Sequence, residues 1–151
     1  MANKRADIVA AIVTKLGTIA TTADYLTNIG LKASEWRTIP VGETDQFLTI
    51  RDTTDDLGAE SLHGVYNEQI HALTIEVHIV ATDQGTNASV FIRKAIADIY
   101  KAVGADDTFG LSYVMKTDPV KDEFDITQEE RKAAGAVVTL AVQYRTTKWE
   151  N

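Results

Sequence analysis

The sequence predicts an α+β domain with two main helices packed on one face of a single antiparallel or mixed β-sheet of about four or more strands. Two stretches have apolar residues at the three- and four-residue spacing of a helix, and four others read as strands, in the order α-β-β-α-β-β. Alternation of apolar and polar residues favours an antiparallel or mixed sheet, because buried parallel strands are apolar on both faces. With 151 residues, the chain 1–151 is expected to form one domain.

Both predicted helices have one apolar stripe. The first covers residues 4–20, and its stripe comprises Ile8, Ile12, Leu16 and Ile19. The second covers residues 88–103, with Thr86 or Asn87 as the N-cap and Gly104 as the residue that ends it.

The predicted strands cover residues 47–51, 70–82, 111–116 and 136–146. The strand at 70–82 is the clearest, and thirteen residues at ~3.3 Å each would extend ~43 Å. A chain of this size has a radius of gyration near ~15 Å, so an unbroken strand of that length should overhang the body. Overhanging strands leave backbone donors and acceptors with which another chain can pair.

Between these elements the sequence predicts a long polar loop at residues 52–69 and a charged excursion at 119–132. Asn28 to Gly30 reads as a turn in which glycine would supply a positive φ. The stretch around Trp36 and Pro40 fits either a short strand or a loop.

Charge is distributed unevenly along the chain. The net charge is −7, and neither lysine nor arginine occurs between Arg51 and Arg93. That interval contains Asp52, Asp55, Asp56, Glu60, Glu68, Glu76 and Asp83. Such a segment disfavours direct binding to a phosphate backbone and is either a solvated acidic surface or an interaction surface.

The sequence offers little chemistry for catalysis. The absence of cysteine excludes disulfides, thiolate metal sites and thiol catalysis, and it fits a reducing compartment. On one strand, His71 and His78 would face opposite ways and could not share a metal, whereas Glu76 and His78 share a face. Two ligands do not make a site, and the aspartates at 52–56 lack the spacing of a calcium loop. We therefore expect no enzyme activity, no catalytic residue, no metal and no cofactor.

An interface is the more plausible use of the polar and aromatic side chains. Trp149, beyond the last strand, would either dock on its own sheet or insert into a neighbouring chain. The predicted interface residues are Asp52, Asp55, Asp56, Glu60, Tyr66, Glu76, His78 and Trp149.

The pattern as a whole resembles the tail-terminator, or tail completion, proteins of long-tailed bacteriophages. The resemblance is carried by the first helix with Arg5, Ile8, Ile12 and Leu16, by RKAIADIYKAVG at 93–104 with Phe109 after it, and by VQYRT at 142–146. It covers most of the chain, although residues 24–40 and the acidic loop do not follow the family pattern.

The resemblance implies a virion structural protein, assembled in the host cytoplasm, that forms a homo-oligomeric ring, typically a hexamer. Such a ring sits at the head-proximal end of the tail, binds the tail tube protein, stops tube growth and presents a surface to the head-side connector protein. DNA would pass through its lumen without specific binding, and no membrane is involved. The alternatives are another neck or tail component, such as a head-completion or tube protein, and a small metal-dependent hydrolase or ligand-binding domain with Glu76 and His78 in its site.

Overall fold

The computed structural model describes residues 3–37, 46–57, 68–82, 88–128 and 132–147. Two helices and five strands follow one another in the order α-β-β-β-α-β-β. Their bounds are α1 Lys4–Leu16, β1 Ala33–Glu35, β2 Gln46–Leu57, β3 Glu68–Thr82, α2 Ala88–Ala105, β4 Val114–Gln128 and β5 Lys132–Thr147.

All five strands belong to one mixed sheet with the spatial order β1-β2-β3-β5-β4. Strand β1 is parallel to β2, and every other neighbouring pair is antiparallel. The predicted α+β class with a single mixed sheet is therefore confirmed. The predicted order of elements was wrong because it lacked β1, whose three residues lie in the stretch that fitted either a strand or a loop.

The hydrophobic core lies between the two helices and one face of this sheet. Alternate β3 residues Leu73, Ile75 and Val77 are fully buried, because successive side chains of a strand point to opposite faces. They form one cluster with the apolar stripes of both helices. Helix α1 packs against β1 and β2, whereas α2 packs against β3, β4 and β5.

The helix ends differ from the sequence-based prediction. Asn3 caps α1 by accepting a hydrogen bond from the backbone of Ala6 at 3.0 Å, and the helix ends at Leu16, four residues earlier than predicted. Helix α2 continues to Ala105, so Gly104 lies inside it and does not end it. The predicted N-caps of α2, at 86 and 87, lie outside the described residues.

Gly30 is required for close packing and not for a positive φ. It lies in a short 3-10 turn, Ile29–Lys32, that packs against the end of α1. A Cβ atom at this position would lie 2.2 Å from the carbonyl oxygen of Leu16. The turn predicted at residues 28–30 is therefore a helical turn held against backbone.

The strands are longer than the sequence predicts, and they include residues from both segments that were predicted as loops. Residues 52–57 belong to β2, residues 68 and 69 to β3, and residues 119–128 to β4. Each segment lies in a ladder with a neighbouring strand, and that backbone pairing outweighs the polar composition that predicted loops. Bulges between Asp52 and Thr54 and between Pro119 and Lys121 accommodate the irregular pattern. Leu111 and Tyr113, predicted on a strand, precede β4 in a turn.

Strand β3 is unbroken over 15 residues, and β5 pairs with its whole length. It pairs with β5 over residues 68–82 and with β2 over residues 71–81. The expectation of an overhanging strand is therefore wrong for the side that faces β5, whereas on the side that faces β2 the described residues 68–70 and 82 extend past the ladder. Among the described strands, the edge strands are β4 on one side and the short β1 on the other, and β1 covers β2 only at residues 48–50, so the rest of β2 is open on that side.

Candidate interaction surfaces

Asp52 is held inside the chain by α1 and by the residue after β1. Arg5 Nε donates to Asp52 Oδ2, and the indole N–H of Trp36 donates to Asp52 Oδ1 over 2.7 Å. Burial alone would raise the pKa of Asp52, but the hydrogen bonds from Trp36 and Arg5, together with the Arg5 charge, hold it below its ordinary value. The ionised carboxylate of Asp52 thus links β2 to α1 and to Trp36.

Asp55 lies in a second polar cluster at the same end of the sheet. The Tyr144 hydroxyl donates to Asp55 Oδ2 over 2.6 Å, and His71 Nδ1 lies 3.3 Å from the same oxygen. The rings of His71 and Tyr144, opposite each other on β3 and β5, stack with centroids 4.9 Å apart. Burial, followed by the hydrogen bond to Asp55 and its charge, raises the pKa of Tyr144 far above the ordinary value, so its hydroxyl remains a donor.

Thr146, His71 and Asp55 follow one another in the hydroxyl–imidazole–carboxylate order of nucleophilic enzymes, with Thr146 Oγ1 3.2 Å from His71 Nε2. The single hydroxyl hydrogen of Thr146, however, is directed at the carbonyl oxygen of Thr147, 2.9 Å away. With its hydrogen used in this way, the hydroxyl does not donate to the imidazole, as an activated nucleophile would. Thr146 is also only 2 % exposed, so a substrate cannot reach it. We interpret the cluster as structural: it holds the end of β2 to side chains of β3 and β5.

The structure therefore divides the predicted interface residues. The side chains of Asp52 and Asp55 are bonded within the chain and are 16 % and 6 % exposed, and their place at an interface stays a prediction. Asp56, by contrast, is exposed. The remaining predicted residues from the 58–67 interval and the C-terminus, Glu60, Tyr66 and Trp149, lie outside the described residues.

Glu76 and His78 lie on the face of the sheet opposite the helices. His78 Nε2 is 2.9 Å from Glu76 Oε2, which confirms that these two side chains share a face. His71 lies in the buried cluster on the helix side, so the two histidines face opposite ways, as predicted. In the part of the chain that the structure describes, no group of three or more histidine, aspartate or glutamate side chains could hold a metal ion.

Asp98 is a buried structural residue that the sequence analysis did not single out. It is 1 % exposed, and its carboxylate accepts from the backbone N–H groups of Leu26 and Thr27 at 2.9 and 2.8 Å and from the Thr27 hydroxyl at 2.7 Å. Its signal was available in the sequence, because Asp98 lies between Ala95 and Ala102 on the apolar stripe of α2.

A groove runs between α2 and the edge strand β4. One part, of about 480 Å³, is lined by Tyr100, Val103 and Leu140 on one side and by Pro119 and Val120 on the other. The Tyr100 hydroxyl crosses it to donate to Asp122 Oδ2 over 2.8 Å. Burial, with the hydrogen bond to Asp122 and its charge, raises the pKa of Tyr100 to about 12.

A second part of this groove, of about 280 Å³, lies nearer the start of α2 and is lined by Arg93, Ile96, Asp122 and Phe124. Val120 and Phe124 are 58 % and 43 % exposed. Helix α2 packs more closely against β5 than against the edge strand, which leaves the groove beside β4. We refer to both parts together as the α2–β4 groove.

The opposite edge of the sheet also exposes apolar side chains. Trp36 is 46 % exposed and Leu57 is 60 % exposed, and both lie along the open edge of β2. The Trp36 ring lies 5.5 Å from the Arg51 guanidinium, measured to the ring centroid. Both open edges thus present apolar surface beside unpaired strand backbone.

The comparisons with known proteins do not identify this chain: no family model matches it, and neither does any curated relative. Of the two described helices, neither is long and apolar enough to cross a membrane. The assignment of a function therefore depends on the sequence resemblance and on the surfaces described above.

Proposed function

We propose that this chain is a tail terminator of a long-tailed bacteriophage. In this proposal several copies form a ring, a hexamer if it follows the family, at the head-proximal end of the tail tube. The ring stops polymerisation of the tube protein and presents its other surface to the head-side connector protein. The chain would then be a virion structural protein with no catalytic role, assembled in the host cytoplasm.

The observation that supports assembly most directly is the pair of open edges on one sheet. Among the described strands, β4 has one neighbour, and β2 has a partner on its outer side only at residues 48–50. Exposed strand edges are ordinarily blunted or covered, because another chain can pair with them or pack on them. A cyclic arrangement uses two different surfaces of each copy, and two opposite edges meet that requirement.

The structure limits which acidic residues could give the lumen of such a ring a negative charge. Asp52 and Asp55 cannot contribute to an exposed acidic surface, because both are bonded inside the chain. Among the described acids of this stretch, Asp56 is exposed and Glu68 and Glu76 are partly so. If the lumen carries negative charge that prevents DNA from adhering, it is these residues that would supply it.

A tube protein is the main alternative within the same class of assembly, and it differs in a measurable way. A terminator forms a closed ring of fixed size, whereas a tube protein polymerises without limit. Long tubes in preparations of the purified chain would therefore favour the alternative.

The test combines native mass spectrometry with negative-stain electron microscopy of the purified chain, alone and with tail tubes of the phage that encodes it. We expect a single ring species, alone or at one end of each tube, and tubes that no longer elongate when more tube protein is added. Deletion of the gene should give overlong tails without heads. A monomer that does not bind tubes, or a deletion phage with tails of normal length, would contradict the proposal.

A further inference from the structure

Two apolar features on opposite edges of the sheet lie at the same level along the strands. The backbone N–H of Trp36 donates to the carbonyl of Ile50 over 3.0 Å. Across the sheet, Ile50 of β2 lies opposite Val77 of β3, and Val77 lies opposite Val138 of β5. Val138 in turn lies opposite Asp122 of β4. Asp122 lines the α2–β4 groove. An exposed tryptophan on one edge is therefore aligned with an apolar groove on the other.

Trp36 is held in position although half of it is exposed. Its φ is +40°, in the left-handed region that a tryptophan rarely adopts, and such conformations occur mainly where the surroundings impose them. The hydrogen bond from its indole to Asp52 fixes the ring over the point at which the edge of β2 opens. An anchor that is ordered before binding loses less conformational entropy on association.

The β4 edge is suited to receive side chains and not to extend a backbone ladder. Pro119 has no N–H, and the bulge between Pro119 and Lys121 interrupts the regular spacing of donors and acceptors. The adjacent α2–β4 groove, in contrast, offers apolar walls from Val103, Leu140 and Val120. Packing of an aromatic side chain into that groove is therefore favoured over strand addition.

Charge at the same level is complementary. Glu35, beside Trp36, is exposed, and the side chain of Lys121 at the rim of the groove is 55 % exposed, although it also pairs with Glu123 at 3.1 Å. Opposite charges flanking an apolar anchor favour one orientation of approach.

We propose that Trp36 of one copy docks in the α2–β4 groove of a second copy of this chain, so that the β1–β2 edge of each copy meets the β4 edge of the next. This inference rests on the proposed ring and names its contact. The contact is head-to-tail, and its repetition about one axis closes a ring. Every copy then has one Trp36 inserted and one groove filled.

The test uses two variants, each of which removes one half of the proposed contact. Trp36→Ala removes the inserted side chain, and Val120→Asp places a charge at the groove. Both are analysed by native mass spectrometry with and without tail tubes. Each variant alone should lose the ring, with an apparent dissociation constant at least ~30-fold higher, as expected for loss of an interface hot spot. Mixed in equal amounts, they should form a 1:1 heterodimer and nothing larger. In that pair, Trp36 of the Val120→Asp copy occupies the intact groove of the Trp36→Ala copy.

Two controls separate the contact from damage to the fold. Met115→Asp changes another exposed apolar residue of β4, 50 % exposed and outside the groove, and should leave the ring intact. In a Trp149→Phe background Trp36 is the remaining tryptophan, and its quenching by iodide should fall when the ring forms. The same measurement on the Val120→Asp monomer should show Trp36 still accessible and the fold unchanged by circular dichroism.

The outcomes distinguish this contact from the function it rests on. Rings that persist in both variants, or an equal mixture that gives no heterodimer, overturn the Trp36 contact and leave the terminator proposal standing. Loss of the ring in Val120→Asp alone would indicate a symmetric contact between β4 edges and also overturns it. A wild-type chain that stays monomeric with and without tubes overturns both.

Discussion

Strands β2 and β4 both carry runs of charged residues on an open edge of the sheet, but the two runs are placed differently. In β2, Asp52 and Asp55 point to the helix-covered face, where arginine, tryptophan, tyrosine and histidine side chains bond them. In β4, lysines pair with acids two residues further along the strand, Lys116 with Asp118 at 2.6 Å and Lys121 with Glu123 at 3.1 Å. These β4 side chains are about half exposed or more.

The bulge in β2 accounts for much of this difference. Residues three apart on a regular strand face opposite ways, but the extra residue between Asp52 and Thr54 brings Asp52 and Asp55 to the same face. Carboxylates on a covered face require partners, since a buried unpaired charge is costly. The charges of β4 remain in water and blunt the edge against uncontrolled pairing. The acids of β2 should therefore affect stability far more than the charges of β4.

The largest effect is expected for Asp55→Ala. Removal of this carboxylate leaves the Tyr144 hydroxyl buried without its acceptor and removes the polar partner of His71 Nδ1. We expect the free energy of unfolding to fall by about 3–4 kcal/mol, as for other broken buried polar networks. Urea denaturation followed by circular dichroism measures this change.

Asp56→Ala is the matched control for that measurement. Asp56 is the next residue on the same strand, but it is exposed. Its replacement should change the free energy of unfolding by less than about 0.5 kcal/mol. Equal effects of the two alanine variants would mean that the buried cluster contributes nothing particular to stability.

The difference between the two strands also marks the limit of prediction from sequence. Alternation in β3 and β5 and the stripes of α1 and α2 predicted the core, because burial of one face imposes a period that side chains alone reveal. The bounds of β2 and β4 could not be predicted in this way. Their charged residues matched a loop composition, whereas the backbone pairs that extend them involve residues far apart in the chain.

For the candidate surfaces, sequence reasoning correctly placed Glu76 and His78 on one face but did not reveal that Asp52 and Asp55 bond within the chain. A bulge of one residue, which has no reliable sequence signal here, decided the latter. The α2–β4 groove could not be predicted, because its walls come from residues such as Val103 and Pro119 that meet only in the folded chain. Asp98, on the apolar stripe of α2, was the one buried polar residue with a readable signal.

An intermediate effect is expected for Asp52→Asn, and it should depend on pH. The pKa of Asp52 is lowered in the folded chain from the ordinary 3.8, so its charge stabilises the fold above that pH. This stabilisation is lost as the pH falls below about 3.8 through the folded-state value. At pH 7 the substitution should reduce the free energy of unfolding by about 1–2 kcal/mol, since it weakens the charged hydrogen bonds from Arg5 and Trp36.

Urea titrations at several pH values between about 2 and 7 measure this dependence, with Asp56→Asn as the control. Wild type and Asp56→Asn should lose stability steeply at the acid end, whereas Asp52→Asn should lose less. If the slopes of wild type and Asp52→Asn coincide, the ionised form of Asp52 is not favoured by folding.

The smallest effect is expected for the charged pairs of β4. Lys116→Ala and Lys121→Ala each remove an ion pair whose side chains are about half exposed or more, and water screens such pairs strongly. We expect each change in the free energy of unfolding to be below about 0.5 kcal/mol and to vanish in high salt. A loss above about 1 kcal/mol for either lysine would show that the charges of β4 stabilise the fold as those of β2 do. Their role at the edge would then be structural as well as protective, because solvated pairs that merely blunt an edge contribute little to the stability of one copy.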